Sequence, residues 1–181
     1  MNEWLAEQHT LNEKRRVSVL LGHVPLQRRS LTVSGGLATD ISFFELLKSS
    51  YEQVVGQDLV QPGQDAQWLY HQAPFVLLAH NTDPDPRFIY ANRTAQDCFE
   101  YSWDELIHLP SRLSAEAPEQ LERQRQLAEV ASKGYIANYR GVRISRTGKR
   151  FWIENAIIWQ LLDPAGVAQG QAARFDTWRP V

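Results

Sequence analysis

The side chains of this sequence best placed to do chemistry are basic. They concentrate between residues 140 and 150, on both sides of a Thr147–Gly148 turn. The group consists of Arg140, Arg143, Arg146, Lys149 and Arg150. Such a group usually forms a solvated charged surface, but alternate residues of a strand share a face. Because Arg143 and Ser145 are alternate residues, the sharper alternative is a site for an anion or an acidic partner.

A single cysteine, Cys98, is the only thiol. It excludes an internal disulfide and a cysteine-based zinc site. Cys98 stands beside Phe99 in a short helical segment, which favours a buried structural thiol over redox or flavin chemistry.

One cluster of residues resembles part of a metal site. It consists of His80, Asp83 and Asp85, separated by Pro84 and Pro86. The Asp-Pro pairs indicate a turn, and no further ligands follow at the spacing of a calcium loop. We therefore expect no bound metal.

Two polar residues, Glu154 and Asn155, interrupt an otherwise apolar strand between Arg150 and Leu162. An unpaired buried polar group costs about 1–3 kcal/mol, so an inward-facing one needs a partner. Strict alternation places Asn155 on one face with Phe151, Ile153, Ile157, Trp159 and Leu161, and places Trp152, Ala156 and Ile158 on the other. Asn155 is therefore a candidate polar group inside a ligand cavity, and a core Asn bonded to backbone is the equal alternative.

Aromatic side chains are numerous enough to line such a cavity. Pockets rich in aromatic residues hold planar or hydrophobic ligands, although in a small domain these residues more often fill the core. The candidate pocket residues are Phe75, Tyr90, Asn92, Phe99, Trp103, Arg112, Tyr135, Tyr139, Ile153, Asn155, Trp159 and Phe175. Arg112 stands in a Pro-Ser-Arg loop, where anchoring the loop is the alternative role.

A helix is predicted over residues 40–55, capped by Asp40 or Ser42 and ended by Gly56. Its apolar residues recur at helical spacing and form one stripe. Because both faces of the 150–162 strand are apolar, this helix or a partner subunit should cover the second face of the sheet. The candidates for that packing, or for a dimer interface, are Ile41, Phe44, Leu47, Tyr51, Trp152 and Ile158.

The remaining pattern predicts two short strands, a helical cluster and three long strands. The short strands cover 75–79 and 87–90, and a long helix runs from Pro118 to Gly134. The long strands cover 135–145, 150–162 and 167–175. This order predicts an α+β fold with a five-stranded antiparallel sheet, a helical cluster on one face and an N-terminal helical extension. We expect residues 1–38 to be an extension or linker and residues 39–181 to be the domain.

Composition narrows the function classes. The chain has 181 residues, 43% hydrophobic residues and a formal net charge of −2. This charge provides no general attraction to nucleic acid or to an anionic membrane. No apolar run approaches the roughly 18 residues that span a bilayer, and the first residues lack the features of a secretory signal. A cytoplasmic location, with no nucleic-acid or membrane partner, is expected.

Several segments resemble the PAS sensory fold. They are the Ala91–Ile107 strand end and helices, Gly148 followed by Trp152-Ile153-Glu154, and the terminal Asp176-Thr177. A denser resemblance, over roughly residues 40–181, is to the PAS-related MEKHLA domain family in its stand-alone bacterial form. The segments that carry it are APFVLLAHNTDPDPRFIYAN, LPSRLSAE, YRGVRISRTGKRFWIENAIIW and GQAARFDTW. The resemblance implies a PAS-like fold and a sensory or interaction role, and it supplies no catalytic residues.

Some PAS classes carry a flavin or a haem, so the resemblance makes both cofactors alternatives to consider. Flavin photosensors of the PAS class carry a reactive cysteine in an Asn-Cys-Arg-Phe motif, where this chain reads Leu109 to Leu113 without cysteine. Haem needs an axial ligand, usually a histidine on the long helix, and residues 118–133 contain none. His71, His80 and His108 lie elsewhere. We therefore expect neither flavin nor haem.

The function expected from these observations is a non-enzymatic PAS-like sensory or regulatory module in signal transduction. It would bind a small molecule, a protein partner or both, and a homodimer could carry the signal. One alternative is an NTF2-like small-molecule isomerase or hydrolase, which would place its long helices before its strands. Another is a constitutive protein-interaction module with a filled core and no ligand.

Overall fold

The structure, a computed structural model, describes residues 36–181 apart from the side chains of residues 117–120 and 123. Residues 1–35, most of the predicted extension, lie outside the described residues. The helices are α1 (Ile41–Val55), α2 (Ala66–His71), α3 (Arg93–Phe99), α4 (Trp103–Leu106) and α5 (Ala117–Lys133), with 3₁₀ turns at Leu37–Thr39 and Ser111–Ser114. The strands are β1 (Val76–His80), β2 (Phe88–Ala91), β3 (Tyr135–Ile144), β4 (Arg150–Leu162), β5 (Ala168–Phe175) and β6 (Thr177–Pro180).

These strands form one antiparallel sheet in the order β2-β1-β5-β4-β3. β6 pairs with the first half of β4, so β5 and β6 follow one another along the same edge of that strand. The predicted α+β class with an antiparallel sheet and a helical cluster is confirmed. β6 is an addition to the five predicted strands.

Helix α1 covers one face of the sheet, which we call the α1 face. The Asp40 carboxylate accepts a hydrogen bond from the Phe43 backbone nitrogen at 2.7 Å, and Gly56 ends the helix in the left-handed conformation. Tyr51 of the helix packs edge-on against Trp159 of β4, with ring centroids 4.8 Å apart. The predicted helix and its predicted coverage of the second sheet face are therefore confirmed.

The apolar stripe predicted for α1 packs against the sheet of the same chain. Phe44, Leu47 and Tyr51 are buried in the core of the α1 face, whereas Ile41 is 73% exposed. The three buried residues therefore take the helix-packing role, which is one of the two roles predicted for them, and not the dimer-interface role. Burial of this apolar stripe against the sheet is what holds the helix in place.

The opposite face of the sheet, which we call the α5 face, carries a second hydrophobic core. Helices α3, α4 and α5 contribute Ala95, Phe99, Leu106 and Val130 to it. The sheet contributes Val76, Leu78, Phe88, Ala91, Tyr139, Phe151, Ile153, Ala156, Ile158 and Phe175. The sheet is therefore apolar on both faces, as the sequence of β4 predicts.

A β-bulge at Asn155 decides which residues of β4 belong to which core. Asn155 has a positive φ of 53°, and the pairing of β4 with β3 shifts register there. An extra residue in one strand reverses the side-chain alternation beyond it. Ile153 consequently faces α5 together with Ile158, whereas Trp159 faces α1. The predicted common face of Ile153 and Trp159 is therefore wrong, because strict alternation does not hold across the bulge.

Candidate functional site

A small cavity lies on the α5 face, between the sheet and the cluster of helices. Its volume is about 50 Å³. The walls are mainly apolar side chains of the sheet and of α3, and the polar groups at its boundary come from β1, β3, β5, α5 and the 111–114 turn. The apolar residues include Leu78, Phe88, Phe99, Ile153, Ile158, Ala173 and Phe175, and the polar ones are His80, Ser114, Gln126, Arg143 and Gln171.

His80 and Gln171 form a cross-strand pair at one side of the cavity. They stand directly opposite one another in the β1–β5 ladder, so their side chains point to the same face. The Gln171 side-chain nitrogen donates to the Leu127 carbonyl of α5 at 3.0 Å. Its side-chain oxygen is buried and has no hydrogen-bond partner among the described residues. Gln171 thus joins the sheet to α5 and leaves one acceptor unused.

His80 is held by its neighbour in the chain. Its Nδ1 lies 2.8 Å from the Asn81 carbonyl oxygen. Because a carbonyl only accepts, Nδ1 is the donor, and in the neutral ring Nε2 carries no proton.

Arg143 lies on β3 and is buried, with 6% of its surface exposed. Its Nη1 donates to the Val142 carbonyl at 2.8 Å, and its Nη2 donates to the Tyr139 hydroxyl at 3.0 Å. Gly141, between Tyr139 and Arg143, lies on the same face. A Cβ at Gly141 would stand 3.1 Å from Arg143 Nη1, so the missing side chain makes room for the guanidinium.

The other basic residues of the 140–150 segment differ from Arg143. Each is partly exposed and forms an ion pair with a glutamate. The pairs are Arg140–Glu154 at 3.2 Å, Arg146–Glu105 at 3.6 Å, Lys149–Glu100 and Arg150–Glu116 at 3.1 Å. The solvated-surface interpretation therefore fits those four, and Arg143 has no carboxylate partner among the described residues.

Three of the predicted pocket residues, Phe99, Ile153 and Phe175, line this cavity. Four others lie in or against the core of the α1 face, on the opposite side of the sheet. They are Phe75, Tyr90, Trp103 and Trp159. Tyr90 packs edge-on against Trp103, and burial raises the pKa of the Tyr90 hydroxyl above its usual value. These four residues fill a core instead of surrounding a cavity.

Asn92 is wholly buried and serves as the corner of the fold. Its side-chain oxygen accepts from the backbone nitrogens of Leu77 and Ala95, both at 3.0 Å. Its side-chain nitrogen donates to the Phe75 carbonyl at 2.8 Å. The amide is thus occupied in tying β1 to the start of α3, and Asn92 does not line the cavity.

The remaining predicted pocket residues also lie outside the cavity lining. The Tyr139 hydroxyl accepts a hydrogen bond from Arg143, and Tyr135 is partly exposed on β3. Arg112 pairs with Asp85 at 3.1 Å. This ion pair fits the alternative role predicted for Arg112, which is to anchor its loop. Asn155 is exposed at the bulge, so its predicted position inside a cavity is wrong.

Two sheet residues were predicted to pack against a helix or a partner subunit. Ile158 instead lines the cavity, because the bulge turns it to the α5 face. Trp152 is half-buried, and the Arg140 guanidinium lies over its ring at 4.0 Å.

The cysteine and the predicted metal-like cluster take no part in the cavity. Burial, together with the nearby Glu100, raises the pKa of the Cys98 thiol to about 12. Asp83 accepts a hydrogen bond from the Asn81 side chain at 2.8 Å. Within residues 36–181 as described, no group of three His, Cys, Asp or Glu residues is placed to hold a metal ion. Over the same residues, no helix has both the length and the apolar character to cross a membrane.

Sequence reasoning missed His80 and Gln171 as cavity residues, and it considered Arg143 only as part of a basic group whose alternative role was a site for an anion or an acidic partner. A signal for Arg143 is present in the sequence. Tyr139, Gly141 and Arg143 alternate along β3, and each pairs with a residue of the apolar β4. The pairing of Arg143 with the apolar Phe151 indicates that the charge of Arg143 is buried. No comparable signal marks Gln171, because its burial depends on where α5 packs.

The fold is similar to solved PAS structures. The PAS domain of a protein from Colwellia psychrerythraea has a TM-score of 0.54 at 12% identity, covering 64% of this chain and 92% of that chain. An RNA-binding light-oxygen-voltage receptor has a TM-score of 0.54 at 15% identity, covering 69% of this chain and 36% of that chain. At these identities the likeness concerns the fold, and the predicted PAS-like fold is confirmed.

Comparison of sequences identifies the family. No curated protein matches the chain significantly. The sequence profile of the MEKHLA domain matches residues 41–180, which include every helix and strand described above. The chain therefore belongs to the MEKHLA domain family.

Proposed function

We propose that this protein is a non-catalytic sensory or regulatory module that binds a small molecule in the cavity of the α5 face. The observation that carries the proposal is the set of buried polar side chains, Arg143, Gln171 and His80, at the boundary of a mainly apolar cavity. Ligand sites in proteins have this composition, with a few polar groups that fix the orientation of the ligand. The PAS-like fold supports the sensory role.

The chemistry of the cavity supports binding over catalysis. General acid–base chemistry needs a suitably placed acid and base, and hydrolytic chemistry usually adds a nucleophile. The described residues that line the cavity include His80 but no carboxylate and no thiol, and their one hydroxyl, on Ser114, already donates to the Ser111 carbonyl at 2.7 Å. This lining supports a binding module over the alternative of an NTF2-like isomerase or hydrolase.

The size of the cavity supports a small ligand. An engineered cavity of about 150 Å³ holds benzene, and the present cavity is about 50 Å³. A flavin or a haem is far larger, so we propose a ligand of only a few non-hydrogen atoms. The small volume also supports the expectation that the protein carries neither cofactor.

The proposed signal passes through α5. Gln171 bonds the Leu127 carbonyl and also borders the cavity. A ligand that engages Gln171 changes this link, and with it the packing of α5 on the sheet. Leu121 of α5 is 65% exposed, so the helix offers an apolar contact to a protein partner. A second copy of the chain is one such partner.

Native mass spectrometry of protein purified from its host tests the binding proposal. We expect a bound small molecule with the wild type and its loss in Ala173→Leu, which fills the cavity at a lining position. Ala168→Leu is the matched control, because it lies on the same strand but not on the cavity. An equal amount of bound molecule in all three proteins would contradict the proposal. Its absence from all three would instead favour a constitutive interaction module.

A further inference from the structure

The proposed function uses Arg143 as a polar group of the cavity, but it assigns no role to the positive charge of this buried residue. A buried guanidinium loses its hydration, and proteins normally compensate it with a carboxylate. The four other basic residues between positions 140 and 150 have such a partner. Arg143 is the most buried of the five, and the described residues place no carboxylate within 4 Å of it.

The hydrogen bonds of Arg143 satisfy only part of its guanidinium. Its partners, the Val142 carbonyl and the Tyr139 hydroxyl, are neutral oxygens. They account for two of the five N–H groups of an arginine. The planar fork of N–H groups matches the two oxygens of a carboxylate, and Arg143 borders the cavity. A positive charge held rigidly beside an apolar cavity is a site for an anion.

Gln171 adds a second requirement. Its side-chain oxygen is a buried acceptor without a hydrogen-bond partner among the described residues, and its nitrogen is already used by Leu127. A ligand that donates a hydrogen bond, through a hydroxyl or an amine, would satisfy it. The residue is itself 9% exposed, so bulk water has little access.

We propose that the ligand of this cavity is a small monocarboxylate that carries a hydrogen-bond donor. Its carboxylate pairs with Arg143, and its donor group reaches Gln171. This inference rests on the proposed function, because it names the chemical class of the ligand at the same site. A carboxylate is favoured over a phosphate because one arginine and an apolar wall match a single negative charge better than about two.

Calorimetric titration with 2-hydroxypropionate, and with its uncharged amide as the matched probe, tests the inference. We expect the wild type to bind the carboxylate and to bind the amide far more weakly. In Arg143→Met, which removes the charge at similar length, carboxylate affinity should fall by about 30-fold or more. Arg140→Met is the control, because Arg140 lies on the same strand with its guanidinium over Trp152, outside the cavity lining. It should leave the affinity unchanged.

Circular dichroism establishes that each variant is folded. If Arg143→Met does not fold, Arg143→Lys keeps the charge but loses the fork, and it should still weaken carboxylate binding. Equal binding of acid and amide, blocked by Ala173→Leu but unaffected at Arg143, would overturn the carboxylate class and leave the cavity as a ligand site. Failure of the wild type to bind the acid at all would also overturn the inference, whatever molecule co-purifies with the protein.

Discussion

Arg143 and Tyr139 form a buried hydrogen-bonded pair on β3, with Arg143 Nη2 donating to the Tyr139 hydroxyl at 3.0 Å. The guanidinium carbon also lies 5.3 Å from the centroid of the tyrosine ring. Gly141 lies between the two residues and contributes no side chain to that space. The position of the only buried cation described in the cavity lining therefore depends on a tyrosine and a glycine of the same strand.

Removal of the Tyr139 hydroxyl should destabilise the protein. We expect Tyr139→Phe to lower the free energy of unfolding by about 1.5–3 kcal/mol, because a buried hydrogen bond to a charged group is lost. Urea denaturation followed by tryptophan fluorescence measures the change. Tyr135→Phe on the same strand is the control and should stay within about 0.5 kcal/mol of the wild type, since Tyr135 is partly exposed. Equal effects of the two substitutions would contradict the role of the pair.

Introduction of a side chain at Gly141 should disturb the same pair. A Cβ there would approach Tyr139 and Arg143 more closely than packed atoms allow, so Gly141→Ala should cost about 1–3 kcal/mol. The first atom it meets is the Tyr139 hydroxyl oxygen. The double variant Tyr139→Phe/Gly141→Ala should therefore lose less stability than the sum of the single variants, by about 0.5 kcal/mol or more. Strict additivity in urea denaturation would show that the glycine is not required for the pair.

Asn92 should be more important to stability than an ordinary helix cap. Asp65 caps α2 by accepting from the Trp68 backbone nitrogen at 2.8 Å at an exposed site, so Asp65→Ala should cost about 1 kcal/mol. Asn92→Ala also breaks the links to Leu77 and Phe75, and each buried group left unpaired adds about 1–3 kcal/mol. We expect Asn92→Ala to exceed Asp65→Ala clearly in denaturant unfolding. Equal losses would mean that the sheet links contribute nothing.

The sequence predicts the fold better than it predicts the cavity, for a physical reason. Asp40 caps α1, Asn92 caps α3, and Ser102 caps α4 by accepting from the Glu105 backbone nitrogen. Each cap bonds a residue three positions along the chain, so the helix starts follow from neighbouring residues. The cavity depends on which residues of β4 face α5. The exposed Asn155, with its positive φ, reverses the alternation of the side chains that follow it. Asn tolerates this conformation, but Asn residues also occur in regular strands and in cores. The residue type alone therefore does not predict a bulge.

The apolar residues on both faces of β4 predict that both faces of the sheet are covered. They do not predict which residues line the cavity. Two apolar faces on β4 require two covers, and α1 with the α3–α5 cluster provides them. Which aromatic residues fill a core and which line a cavity depends on packing between distant elements. Phe99 and Trp103 lie four residues apart, yet they belong to opposite faces of the sheet.

Glu100 should make stability depend on pH. Hydrogen bonds from Lys149, Thr147 and Ser145 lower the pKa of its carboxyl to about 2. Because the carboxyl of the unfolded chain titrates near its usual value of about 4.3, the unfolded state binds more protons between the two values. The stabilisation is therefore complete above that usual value and is lost as the pH falls towards 2.

Glu100→Gln should flatten this dependence. We expect the variant to be less stable than the wild type at neutral pH, and the difference to shrink at pH values below the usual carboxyl pKa. Glu52→Gln is the control, since Glu52 is exposed on α1 and makes no side-chain hydrogen bond among the described residues. Urea denaturation across the acid range gives the comparison. A difference between Glu100→Gln and wild type that stays constant down to the lowest pH would refute the assignment.

Cys98 should be inert in the folded protein. Its pKa of about 12 leaves almost no thiolate at pH 8, and the thiolate is the reactive form. We expect slow modification by a chromogenic disulfide reagent in buffer and rapid modification in concentrated urea. Rapid modification of the folded protein would revive the redox interpretation.

Asn155 should tolerate glycine and resist β-branched residues. Its side chain is exposed, so Asn155→Gly removes no buried contact and should change stability by at most about 0.5 kcal/mol. Asn155→Val forces a β-branched residue to a φ of 53° and should cost about 1–3 kcal/mol. Thermal and urea unfolding of both variants measure the contrast. Comparable stability of the two would show that the positive φ relaxes at no cost.

Beyond the bulge, two consecutive residues of β4 connect the two sides of the sheet. Ile158 borders the cavity, and Trp159, the next residue, packs on Tyr51 and donates to the Ser50 hydroxyl of α1 at 3.2 Å. The cavity and the helix on the far side are therefore separated by one peptide unit. A displacement of Ile158 needs no relay of side chains to reach α1, because the backbone of β4 is itself the connection.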